Sequence, residues 1–277
     1  MRVENELPAV IVPVFNAPDE LDVCLSSLYS TVSGETEVLV IDDASTEPDT
    51  GRVLRKWRQR SGSRWQFLNN GENLGFVGTV NRGMKKVDRN VVLLNSDTQV
   101  TTGWLEGLHR CLTSNDSIAT ATPWTNNGEI ASIPGFCVNN PVPDEPERVA
   151  DVIARRGRAH YPEIPTAVGF CMAISRRAIE LIGYFDQQTF GAGYGEENDF
   201  SMRARSAGLR NVLCDNVYVV HLGGRSFGPL GLKPDESTMQ RLLSLHPGYL
   251  GIVEQFIRED PLSVRRNELV AALGDAV

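Results

Sequence analysis

The chain has 277 residues, 41% of them hydrophobic, which is ample for one substantial core. Its net charge of −8 argues against a nucleic-acid binder, which would track phosphates with a basic face. A nucleotide ligand stays compatible with that charge, because a bound divalent cation neutralises phosphates.

The first strand reads as Ala9-Val10-Ile11-Val12-Pro13-Val14, with Pro13 marking where pairing stops. A helix follows Asn16-Ala17-Pro18, since Leu21, Leu25, Leu28 and Val32 recur at three- and four-residue spacing. Val38-Leu39-Val40-Ile41 is a buried strand that ends in Asp42-Asp43-Ala44-Ser45, and a helix carrying Val53, Leu54 and Trp57 comes next. Trp65 to Leu68 reads as a strand and Gly75 to Val87 as a helix. Val91 to Asn95 is a further strand, running into Ser96-Asp97-Thr98. This β-α-β-α-β-α-β series predicts a parallel, right-handed wound sheet. After a helix with Trp104, Leu105, Leu108 and Leu112, the proline-rich stretch 134–165 reads as a long loop with one short helix over 149–156. Ala167 to Ile174 predicts a strand, 176–182 a helix and 190–195 a glycine-rich turn. A helix over 196–207 and a strand over 217–220 ending at His221 complete the domain. Residues 237–258 are helical in pattern, and the last twenty read as a peripheral, frayed tail. Five scattered cysteines without CxxC spacing read as reduced thiols of a cytoplasmic protein. Met1 to Pro8 shows no signal peptide, and no run approaches the ~20 apolar residues of a membrane span, though peripheral association stays open.

In an open α/β sheet, ligands bind beyond the carboxyl ends of the strands, where Asp43, Asp97 and His221 are delivered. One carboxylate and one imidazole make a partial shell for Mn²⁺ or Mg²⁺; the alternative is a helix-capping Asp97 and an ordinary strand-end His221. Asp42-Asp43-Ala44-Ser45 supplies acceptors suited to a pyrimidine edge or ribose hydroxyls, or else forms a helix-entering turn. Asn73-Leu74-Gly75 opens a helix whose N–H groups suit a diphosphate, although it is neither a P-loop nor GxGxxG. Gly195-Glu196-Glu197-Asn198-Asp199 crowds three carboxylates into one helical turn. That arrangement either complements the helix dipole or holds a proton acceptor poised for a hydroxyl nucleophile.

Taken in order and at this spacing, these segments resemble a glycosyltransferase of family 2 with the GT-A fold, over about residues 9–225. Val12-Pro13-Val14-Phe15-Asn16, Asn81-Arg82-Gly83, Leu94-Asn95-Ser96-Asp97 and Val220-His221-Leu222-Gly223-Gly224 belong to the same set. The resemblance implies an α/β fold with a wound, mostly parallel sheet flanked by helices, and a C-terminal helical tail. A GT-A domain would span 1–228, its nucleotide-binding half at about 9–100 and its acceptor half at about 101–228, with a helical extension over 229–277. By resemblance Pro13, Asn16, Asp43, Ser45, Asn73, Gly75 and Asn95 line the donor nucleotide, and Asp97 and His221 hold the divalent metal. Glu197 is the catalytic base, with Glu196 and Asp199 orienting the acceptor. Asn95 departs from the family's Asp-x-Asp motif and becomes a ribose contact; Glu197 stands where Asp is frequent. The implied activity is inverting, metal-dependent transfer from a UDP- or dTDP-sugar, with rhamnose as a candidate, to a hydroxyl of a glycan in bacterial surface polysaccharide synthesis. A catalytically inactive nucleotide-sugar-binding module is the alternative suggested by Asn95. A sugar-phosphate nucleotidyltransferase is weaker, because no basic glycine-rich loop follows the first strand.

Overall fold

A computed structural model describes residues 6–191, 193–223 and 236–274. Its strands are β1 (Ala9–Val14), β2 (Val38–Asp42), β3 (Trp65–Asn69), β4 (Val91–Leu94), β5 (Thr98–Val100), β6 (Ile118–Trp124), β7 (Cys171–Ile174) and β8 (Arg210–His221). The helices are α1 (Pro18–Thr31), α2 (Pro48–Arg60), α3 (Gly75–Lys86), α4 (Trp104–Thr113), α5 (Pro146–Arg155), α6 (Arg176–Ile182), α7 (Gln187–Phe190), α8 (Glu196–Ser206), α9 (Glu236–Leu245), α10 (Tyr249–Glu259) and α11 (Ser263–Leu273).

The strands form one sheet in the order β3-β2-β1-β4-β7-β6-β8-β5. The β3-β2-β1-β4 half is parallel, as the alternating series predicts. The other half is mixed: β7 runs against both β4 and β6, and β5 against β8, while β6 and β8 are parallel. Because successive side chains point to opposite faces, the Val-, Ile- and Leu-rich strands bury both sides. Val10, Val12, Val38, Val40, Val92 and Leu94 meet α1, α2 and α4 on one face, whereas Ile11, Leu39, Ile41, Val91 and Leu93 meet α3 on the other. Gly83 lets α3 approach closely, since a Cβ there would lie 2.7 Å from Ile11 Cγ2.

Two strands were not visible in the sequence, the short β5 and β6, whose Ile-Ala-Thr-Ala-Thr-Pro-Trp lacks a greasy run; nor was the one-turn α7. The strand expected at 217–220 extends back to Arg210, across an irregularity where pairing jumps from Pro123–Cys214 to Trp124–Tyr218. The strand expected from Ala167 begins only at Cys171, because 167–170 turns toward the site. The proline-rich stretch does contain a helix, α5, and the pattern at 237–258 divides into α9 and α10. The final residues are no frayed tail within the described range. They form α11, and its Leu269 and Leu273 share a core cluster with Trp124, Leu213, Tyr218 and Ile153. Among the described residues, no helix is long and apolar enough to cross a membrane. Four of the cysteines are buried as free thiols and Cys137 is exposed.

Candidate active site

The strand order turns back at β1, with β2 on one side and β4 on the other, so a crevice opens beyond their carboxyl ends. Pro13, Val14 and Phe15 from β1, Asp43 after β2, Phe76 and Thr79 of α3, and Asn95 and Ser96 after β4 line a cleft there. Asp43 is buried and fixed: its Oδ1 accepts from Asn70 Nδ2 at 2.7 Å and from Leu74 N at 2.8 Å. That leaves Oδ2 for a ligand in the cleft. Asn95, too, keeps its side-chain amide free of hydrogen bonds among the described residues.

Asn16 and Ser45 lie beside the cleft but spend their polar atoms on the scaffold. Asn16 Oδ1 accepts from the N–H groups of Thr46 and Glu47 at 2.8 and 3.0 Å, and Ser45 Oγ accepts from Asn16 N at 2.9 Å. Left-handed backbone at Asn16 and Ala44 (φ 58° each) shapes this loop pair. Asn73 has a similar local task, its Oδ1 accepting from Gly75 N at 3.0 Å in the turn that enters α3, whose first residue has φ 71°. These contacts shape the wall of the cleft.

Asp97 and His221 converge through the β5–β8 pairing, which sets Thr98 opposite His221, while Leu222 N donates to Asp97 O at 2.9 Å. His221 Nδ1 lies 2.6 Å from Asn127 O; a carbonyl only accepts, so Nδ1 carries the hydrogen. The Nε2 lone pair then faces Asp97 Oδ1 across 3.6 Å. Asp97 Oδ1 is buried and has no hydrogen-bond partner. Burial disfavours the imidazolium, yet the Asp97 carboxylate and the Asn127 carbonyl outweigh it and raise the His221 pKa. With Nε2 unprotonated, His221 and Asp97 would offer a divalent cation one nitrogen and one carboxylate oxygen, the donor set that such an ion accepts. Phe170 stacks on the His221 ring at 5.2 Å, and Asn126 braces the His221 backbone at 2.9 and 3.1 Å. No group of three or more ligating side chains occurs among the described residues, so any cation here relies on two protein donors plus substrate and water.

Across the site, α8 begins at Gly195 (φ 98°), preceded by Tyr194 in a left-handed conformation at φ 68°. Glu196 is buried and Glu197 half-buried, and the buried Oε2 of each lacks a partner. Burial raises the pKa of both carboxyls; the Glu197 charge pushes Glu196 well above the usual range, and Glu129 adds to the rise at Glu197. The two carboxyls resist ionising together, and the rise is greater at Glu196. Burial also raises the Tyr194 phenol, and the charges of Glu196, Glu197 and Asp97 act in the same direction. The acidic turn and the Asp97–His221 pair thus lie within electrostatic reach of one phenol.

Asp199 differs from the expectation of an open, acceptor-orienting carboxylate. Its Oδ2 accepts from Arg203 Nε at 2.8 Å and its Oδ1 lies 2.8 Å from His246 Nε2, so each oxygen already has a partner. Sequence reading also missed Asn127, Phe170, Glu129, His246 and Tyr249, which reach the site from distant segments without a local motif. Ala192 of the glycine-rich turn and Gly224 of the His221 motif lie outside the described residues.

The family model for glycosyl transferase family 2 matches residues 9–183. The chain is similar to the low-salt glycan biosynthesis hexosyltransferase Agl10 of Haloferax volcanii, 27% identical over 226 residues covering 78% of this chain and 67% of that protein. Its fold matches that of GalNAc-T7, solved with UDP, GalNAc and Mn²⁺, at a TM-score of 0.67 and 15% identity over 98% of this chain and 55% of that one. It also matches TarS 1-349 of S. aureus in complex with UDP-GlcNAc, at a TM-score of 0.62 and 17% identity over 98% and 80% of the two chains. This chain therefore spans about two thirds of the Haloferax volcanii relative and just over half of the GalNAc-T7 chain.

Proposed function

Because the chain belongs to glycosyl transferase family 2, we propose that it is an inverting, metal-dependent enzyme moving a sugar from a UDP- or dTDP-sugar to a hydroxyl of a glycan. The observation that supports this reading is the Asp97 Oδ1 and His221 Nε2 pair, 3.6 Å apart, with a buried, unpartnered Glu197 oxygen in the first turn of α8.

Asp43 would receive the base in the cleft beyond β1 and β4, and Asn95 the ribose. When bound at Asp97 and His221, a divalent ion would supply Lewis acidity for the departing diphosphate. Glu197 accepts the proton of the acceptor hydroxyl as its oxygen attacks the anomeric carbon and the bond to the diphosphate breaks. A single base facing the leaving group across that carbon gives one in-line displacement, with inversion. Burial and the neighbouring Glu197 charge favour the neutral form of Glu196, which lessens the repulsion beside the base. A GalNAc-T7 structure holding Mn²⁺ and UDP supports the metal and the nucleotide class by similarity of fold. Rhamnose as the cargo, bacterial surface polysaccharide as the product and the cytoplasm as the place rest on family analogy.

The test is a screen of UDP- and dTDP-sugars with Mn²⁺ or Mg²⁺, reading heat stabilisation and release of the nucleoside diphosphate. Metal-dependent stabilisation and release are expected. Stabilisation without any release, with glycan acceptors present, would favour an inert binding module; neither signal would reject the nucleotide-sugar reading.

A further inference from the structure

The acidic turn of α8 is gripped by the segment that joins α9 to α10 and by the first residue of α10. Two contacts define the grip. His246 Nε2 lies 2.8 Å from Asp199 Oδ1, and Tyr249 Oη donates to Asn198 Oδ1 at 2.8 Å. Tyr249 and Thr166 are buried, and Thr166 Oγ1 also reaches Asn198 Oδ1 at 2.8 Å. The single Thr166 hydroxyl hydrogen has a second acceptor in Ala167 O at 3.1 Å, so Tyr249 is the donor dedicated to Asn198. The Glu197 carboxylate only accepts, so Asn198 Nδ2 is the group that faces Glu197 Oε1, at 3.2 Å, and Oδ1 is left to the hydroxyls. A flipped amide would set its oxygen against a carboxylate and lose that bond.

We propose that Tyr249 is a positioning residue for transfer: through Asn198 it pins one Glu197 oxygen and leaves the other turned to the acceptor. The C-terminal helices are thereby part of the catalytic arrangement. This inference rests on Glu197 as the base, and it assigns Tyr249 no contact with substrate. Losing one such hydrogen bond moves a rate by about fivefold, because the bond shifts the population of the productive Glu197 rotamer without removing the base.

The experiment compares the full chain with Tyr249→Phe, Asn198→Ala and the double variant, using Mn²⁺ and UDP- or dTDP-sugars with release of the diphosphate as the readout. Heat stabilisation by UDP with Mn²⁺ is followed in parallel. Tyr249→Phe is expected to lower kcat about fivefold, leave the donor KM and the UDP-dependent stabilisation within twofold, and add less than twofold to the loss in Asn198→Ala. A kcat within twofold of the parent, or the same fivefold loss on top of Asn198→Ala, overturns the relay. Should Tyr249→Phe fold poorly, Thr166→Val with Tyr249 intact takes its place. Its expected loss is under twofold, and a larger one makes Thr166 the dedicated donor and overturns the assignment. Glu197→Gln separates the two readings: turnover unchanged there rejects the base itself, whereas an inactive Glu197→Gln beside an unaffected Tyr249→Phe rejects only the positioning role.

Discussion

Glu196 and Glu197 put two carboxyls into one buried turn, and the strain between them has a measurable pH signature. In the unfolded chain both ionise near pH 4.3. In the folded chain burial and the Glu197 charge keep the Glu196 proton in place far above that. The folded state thus binds more protons through neutral pH, so the residue's contribution to stability is complete below about pH 4 and is lost as pH rises through the raised pKa. Glu196→Gln keeps a donor toward Glu197 but cannot ionise. It should raise stability at pH 8 by on the order of 1 kcal/mol relative to the parent, with a smaller difference at pH 5. Thermal melts at the two pH values check this; a Tm difference that ignores pH would show that Glu196 ionises normally. Asp97 invites a second substitution. Asp97→Asn removes the charge facing His221 Nε2, and the Mn²⁺-dependent part of UDP stabilisation should shrink at least tenfold in apparent metal affinity, roughly one hydrogen-bonded charge's worth. Superimposable Mn²⁺ titrations of variant and parent would take Asp97 out of the cation site.

Elements differ in how openly the sequence declares them. β1, β2 and β4 are short β-branched runs ended by proline or acid, and a strand buried on both faces reads just so. β6 is equally buried, yet its alternating Ala and Thr are small residues under close-lying helices, and Pro123 disguises its end. Asp215 and Asn216 break β8 in the same way, because a buried carboxylate inside a strand is legible only once its partners are known. The site divides along that line. Asp43, Asp97, Glu197 and His221 stand at strand or helix ends and could be picked from the sequence, whereas Asn127 and Tyr249 arrive from residues 94 and 51 positions away. Only tertiary contact identifies those. Gly83 shows the energetic side of an element's fit. Alanine there favours the helix by roughly 1 kcal/mol, but its Cβ would sit 2.7 Å from Ile11 Cγ2 and 3.1 Å from Ile41 Cδ1 in a wholly buried seam. Overpacking should win, and Gly83→Ala should destabilise by about 1–2 kcal/mol, read as a lower urea midpoint. An unchanged or higher midpoint would mean that α3 can lift from β1 at little cost.

At the scale of the whole molecule, the C-terminal helices are joined to the sheet by a buried charge as well as by apolar contact. Asp215, in the irregular part of β8, is fully buried; its Oδ1 accepts from the N–H groups of His160 and Tyr161 at 3.0 and 3.1 Å. Arg265 of α11 places Nε 3.2 Å from Asp215 Oδ2 and also donates to Arg156 O. The segment 156–161, β8 and α11 therefore meet at one carboxylate, beside the cluster that Leu269 and Leu273 complete. Arg265→Met keeps the apolar stem and removes the cation, leaving a buried charge uncompensated at a cost of about 3 kcal/mol. Where that cost is felt tests the boundary drawn near residue 228. All four tryptophans (Trp57, Trp65, Trp104, Trp124) precede it and only Trp124 shares a cluster with α11, so fluorescence reports mainly on residues before the boundary while far-UV circular dichroism also sees α9 to α11. With the helices keyed into the same core, both probes should shift to a lower urea midpoint together, in one transition. An early loss of circular dichroism with the fluorescence midpoint unmoved would instead make residues 229–277 a separately folding unit. The grip of Tyr249 on α8 would then be one that the sheet can do without.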